Sequence, residues 1–88
     1  MTQTITGGGT AALDELGAAL APLGYLTVLL EDGARPRLEV LDRRPGGRSG
    51  GVVCDGDWYW WPWADRIAPA GDAARAAALV DRGLRQAA

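Results

Sequence analysis

The sequence predicts an α+β protein of two layers, a four-stranded antiparallel sheet flanked by an N-terminal and a C-terminal helix in the order α-β-β-β-β-α. Three observations carry this. Apolar residues recur at helical spacing near both ends, they alternate residue by residue in short runs between 25 and 61, and Gly, Pro and Asp punctuate the intervals. At 88 residues the chain is one domain with a thin core. We divide it into a glycine-rich tail, 1–9, and a domain, 10–88.

Each element has its own warrant. Thr10 is placed to cap a helix in which Leu13, Leu16, Leu20 and Leu23 repeat at three- and four-residue spacing, with Asp14 and Glu15 early in it and Pro22 and Gly24 ending it. Residues 25–31 read as a strand with Leu26, Val28 and Leu30 on one face and Tyr25, Thr27 and Leu29 on the other. Asp32, Gly33 and Ala34 turn the chain into 37–41, where Leu38 and Val40 point inward and Arg37, Glu39 and Leu41 outward. The stretch 42–51 holds four Gly and one Pro and reads as a flexible connector. Residues 52–54 begin a third strand, Asp55-Gly56 makes a hairpin turn, and 57–61 is the fourth strand, with Pro62 at its end. Residues 65–71 read as irregular. Asp72 caps a last helix with the stripe Ala76, Leu79, Val80, Gly83 and Leu84, and Asp81 and Arg85 form an i,i+4 pair.

Composition narrows the chemistry. The chain has no His and no Lys, all nine basic residues are Arg, and Cys54 is its one cysteine. Triads built on His, Schiff-base lysines, disulfides within the chain and zinc sites with His or four Cys are excluded. Gly7-Gly8-Gly9 does not continue as G-x-G-x-x-G, and the glycines at 46–51 lack a phosphate-loop lysine. Asp55, Asp57 and Asp65 leave room for an Asp-based metal-dependent hydrolase, but an Asp-Gly hairpin accounts for the first two more simply. No cofactor or metal is expected, and Cys54 reads as a small buried hydrophobe. Without a spanning segment or a basic leader, a cytoplasmic location is the expectation.

The densest signal is Trp58-Tyr59-Trp60-Trp61-Pro62-Trp63. On a strand, Trp58 and Trp60 point one way and Tyr59, Trp61 and Trp63 the other, and two helices cover one sheet face only. Large aromatics therefore reach an uncovered face, where Trp and Tyr concentrate binding energy. We assign a protein interface to Tyr25, Leu29, Tyr59, Trp61 and Trp63, with Arg37 and Arg66 beside it. The expected function is a non-enzymatic interaction or regulatory-partner module, acting as a homodimer with sheet packed on sheet or on another protein. The alternative is a binder of a small anionic or aromatic ligand, with Tyr59 and Trp60 or Trp61 as a stacking wall and Arg37 or Arg44 as anion partner. Residues 35–48 hold Arg35, Arg37, Arg43, Arg44 and Arg48, but a net charge of -2 opposes nucleic-acid and membrane partners.

Overall fold

The structure is a computed structural model that describes residues 7–31, 35–55, 57–63 and 65–86. Its elements are α1 (Gly7–Leu20), a 3-10 turn (Ala21–Leu23), β1 (Tyr25–Leu30), β2 (Arg37–Asp42), β3 (Ser49–Asp55), β4 (Trp58–Trp60), β5 (Arg66–Pro69) and α2 (Ala73–Gln86). The five strands form one antiparallel meander in the order β1-β2-β3-β4-β5, so the expected four-stranded sheet is corrected to five. Both helices lie on one face, as the two-layer reading required.

The added strand is the segment read as irregular. Arg66–Pro69 pairs with β4 at the sheet edge, with Trp58 opposite Pro69, Tyr59 opposite Ala68 and Trp60 opposite Arg66. An irregularity between Tyr59 and Trp60 breaks the alternation, so that Ile67 and Ala68 are both buried. Pro69 fits there because an edge strand has one side without a ladder to donate to.

The connector between β2 and β3 is shorter than composition suggests. Ser49, Gly50 and Gly51 already pair with Leu41, Val40 and Glu39, leaving 43–48 as the loop. The two strand glycines answer to close neighbours. A Cβ on Gly50 would lie 3.2 Å from Leu84, and one on Gly51 would meet Glu39 and Pro62. Asp42 braces the loop: its carboxylate accepts from the Arg44 backbone N–H at 3.0 Å and from Arg44 Nε at 2.7 Å.

α1 begins at Gly7, upstream of the Thr10 cap position, while residues 1–6 of the expected tail lie outside the described residues, as does the 32–34 turn and Gly56. It ends where expected: Gly24 takes φ 98° and its N–H bonds Ala21 O at 3.1 Å. Asp72 caps α2, its carboxylate accepting from the Arg75 N–H at 3.2 Å. The core between the layers is made of Leu13, Leu16 and Leu20 from α1, Leu38, Val40, Val52 and Tyr59 from the sheet, and Ala76 and Val80 from α2. No helix among the described residues is long and apolar enough to cross a membrane.

Candidate functional site

Strand parity decides what each face offers. Tyr25, Leu38, Val40, Val52, Tyr59 and Ala68 point toward the helices and are buried. Their neighbours in sequence therefore line the opposite face, and the register stacks them in rows. Leu26 stands opposite Leu41, Val28 opposite Glu39, Leu30 opposite Arg37, Val53 opposite Trp60 and Asp55 opposite Trp58. This open face has no second layer of the chain over it among the described residues.

The open face is apolar at both ends. At the β1–β2 end, Leu26 is 52% exposed, Val28 43% and Leu41 39%. At the β4–β5 end, the Arg66 guanidinium lies 4.8 Å from the Trp58 ring centre and 5.9 Å from that of Trp60, a cation–π arrangement that half-buries both indoles. Trp60 Nε1–H donates to the Asp55 carbonyl at 3.1 Å, which fixes its ring. Between the ends, Arg37 Nε pairs with Glu39 Oε2 at 3.0 Å. Beside Trp60, Val53, Pro62 and Arg35 border a hollow of 310 Å³.

The residues assigned to an interface from sequence do not come together. Tyr25 and Tyr59 are corrected to core residues beneath the helices, 3% and 0% exposed. The Tyr59 hydroxyl donates to the Ala12 carbonyl, and burial pushes its pKa up to about 12. Leu29 is half-buried on the same helix-covered side. Arg37 and Arg66 do lie on the open face. The aromatics that share it with them are Trp58 and Trp60, the opposite parity to the one assigned.

Trp61 and Trp63 follow the end of β4, and Trp61 packs against the core over Gly50 of β3. The Trp61 N–H donates to Asp65 O at 2.8 Å, and both indoles stand beside the start of β3 and the C-terminal half of α2. Their rings stack at 5.1 Å between centres with planes 5° apart. Trp61 is wedged against α2: a Cβ on Gly83 would come within 3.0 Å of its six-membered ring. Trp63 is 65% exposed, and its Nε1–H donates to Asp65 Oδ2 at 2.8 Å. Together they wall a cleft of 640 Å³ bordered by Arg48, Gly50, Arg66 and Leu84.

The remaining candidates are accounted for locally. Arg35 reaches Asp55 at 3.2 Å, an exposed pair, and no group of three or more His, Cys, Asp or Glu among the described residues is placed to hold a metal ion. Burial, with Asp55 and Asp57 nearby, pushes the Cys54 thiol up, away from thiolate chemistry. Arg44, named as an anion partner for the sheet face, lies instead on the connector over the Tyr25 ring at 5.4 Å. One cluster escaped the sequence: Tyr25, Asp42, Arg44, Asp81 and Arg85 converge where β1, the 43–48 loop and α2 meet. Only the Asp81–Arg85 spacing signalled it. Comparison of the chain with protein-family models, with curated proteins and with solved structures finds no match.

Proposed function

We propose that this protein is a non-enzymatic interaction module that dimerises through the open face of its sheet. The observation that carries the reading is the pair of apolar patches on that face, Leu26, Val28 and Leu41 at one end and Trp58 and Trp60 beneath Arg66 at the other, with the Arg37–Glu39 pair between them and the helices packed on the other side. An antiparallel sheet with apolar residues on both faces calls for cover on both.

A second copy of the chain fits this face. Two-fold pairing of sheets at roughly 30° sets the same face of each copy against the other, and with the axis along the strands the aliphatic end of one copy meets the aromatic end of the other. Strands of 6, 6, 7, 3 and 4 residues, at about 3.3 Å rise and about 4.8 Å spacing, make a plane of roughly 400 Å². Pleating and side chains enlarge that plane toward the roughly 800 Å² per partner of a stable interface. The non-enzymatic part of the reading rests on composition, which supplies no His and no Lys. A cytoplasmic setting accords with the single free thiol of Cys54, half-buried and without a partner cysteine in the chain.

Light scattering across a wide concentration range tests the proposal. A mass rising toward twice 9.2 kDa is the expected result, and Leu26→Glu, at an exposed position, should return the mass to that of the monomer without altering the far-ultraviolet circular dichroism. A wild-type mass that stays at 9.2 kDa at every concentration overturns it.

A further inference from the structure

The Trp61–Trp63 cleft does not end at Leu84. Arg48 and Leu84 also border a second hollow of 430 Å³, so the two adjoin across these side chains as the lobes of a groove along the last turns of α2. The two lobes differ in chemistry. The first is walled by the stacked indoles, and the second by Arg44, Arg48, Arg85 and the Gly46-Gly47 backbone, with Asp42 as its acidic member.

The arginines are not equivalent. Arg44 is committed to Asp42 at 2.7 Å, and Arg85 to Asp81 at 2.8 Å. Arg48 stands at the junction of the lobes and forms no ion pair among the described residues. Asp81 lies between Arg44 and Arg85, 3.8 Å from the first and 2.8 Å from the second, and already offsets their mutual repulsion, so of these three arginines Arg48 is the one without a carboxylate on it among the described residues. The aromatic lobe is prepared in the same sense. Trp61 is held against Gly83 and Gly50, and Trp63 is stacked on it and oriented by Asp65. A planar ring arriving there finds an aromatic surface already in place, with little ordering left to do.

We propose that this groove binds a small planar aromatic anion, its ring against Trp63 and its charged group on Arg48 between the lobes. The class follows from the pairing of an indole wall with an uncommitted guanidinium in a chain of net charge -2, where a polyanion would meet repulsion elsewhere on the surface. Arg66 borders both this groove and the open face, but Trp63 and Arg48, on which the recognition rests, are not among the residues of that face, so variants at these two positions test the groove apart from dimerisation.

Three probes test it: adenosine 5′-monophosphate, 1-naphthalenesulfonate and indole-3-acetate. At least one should give saturable shifts of the Trp63 indole N–H resonance and quench tryptophan emission. For the best probe, Trp63→Ala and Arg48→Gln, both at exposed positions, should each weaken binding about tenfold or more. Adenosine and inorganic phosphate, which each carry half of the recognised chemistry, should bind at least about tenfold more weakly than adenosine 5′-monophosphate if that is the best probe. The proposal is overturned if no probe gives a saturable shift, or if the shifts fall on Trp58 and Trp60 of the open face. It is equally overturned if Trp63→Ala leaves the affinity unchanged, or if phosphate alone binds as tightly as the monophosphate.

Discussion

Tyr25 shows how one side chain can tie three parts of the chain together. Its ring is buried beneath the helices while its hydroxyl donates to Asp81 Oδ1 at 2.6 Å, and the same oxygen accepts from Arg85 Nε at 2.8 Å. Arg44 covers the ring from the 43–48 loop, so β1, the loop and α2 meet on one carboxylate. Burial, then the bond to Asp81, pushes the Tyr25 hydroxyl up, while the Tyr25 and Arg85 bonds hold Asp81 below the usual carboxylate range. Asp81 is depressed, so its contribution is present above an unfolded value of about 3.9 and is lost as pH falls through its folded value. Tyr25 is raised, so its share is present below about pH 10 and is lost as pH climbs through the folded value. Urea denaturation at a series of pH values should therefore show a loss of stability below about pH 4. Asp81→Asn should cost about 1–3 kcal/mol at neutral pH and flatten that acid limb in part, with Asp42, also depressed by Arg44, supplying the remainder. Tyr25→Phe should cost about 1 kcal/mol and leave the ring packing intact.

At the scale of elements, small residues set how close the layers come. A Cβ on Gly17 of α1 would sit 2.9 Å from Thr27 Oγ1 of β1, so the helix rests on the sheet through glycine. Gly17→Ala should gain about 1 kcal/mol of helix propensity and lose about 1–3 kcal/mol to crowding, a net destabilisation. In a Thr27→Ala background the crowding disappears, so a double-mutant cycle should show coupling of the sign that relieves strain. Such dependence on neighbours also explains what the sequence could convey. The helices, the β1–β2 hairpin and the Asp72 cap follow from local pattern and were legible. β5 was not: its four residues include Pro69, and the irregularity opposite Tyr59 puts Ile67 and Ala68 on the same buried side. The orientation of β1 was equally hidden, since Leu26, Val28 and Leu30 are as apolar as Tyr25 and Leu29. Only the fit of Tyr25 and Tyr59 between the layers selects one set as core. Trp61 and Trp63 extend an alternating pattern in sequence, yet β4 ends at Trp60 and Trp61 packs between Gly50 and Gly83, which separates both indoles from the face that Arg37 and Arg66 share.

For the whole molecule, association and folding are one equilibrium if the open face is covered by a second copy. A folded dimer that unfolds to two chains gains stability by mass action as concentration rises, about 0.7 kcal/mol per chain for each tenfold increase. For a domain of 88 residues, where 1 kcal/mol moves Tm by about 4–8 °C, Tm should climb about 3–5 °C per decade of concentration. Leu26→Glu should make Tm independent of concentration, because the charge would be buried in the interface of the dimer but is solvated in the monomer. The β1 edge provides a competing geometry: its outer backbone groups are unpaired within the sheet, and two copies could join there through a ladder. That arrangement depends on main-chain groups and leaves the Leu26 side chain in water. A concentration-dependent Tm that persists in Leu26→Glu would thus indicate edge pairing and overturn the face-to-face dimer, whereas a flat Tm in the variant alone places the contact on the Leu26, Val28 and Trp60 surface.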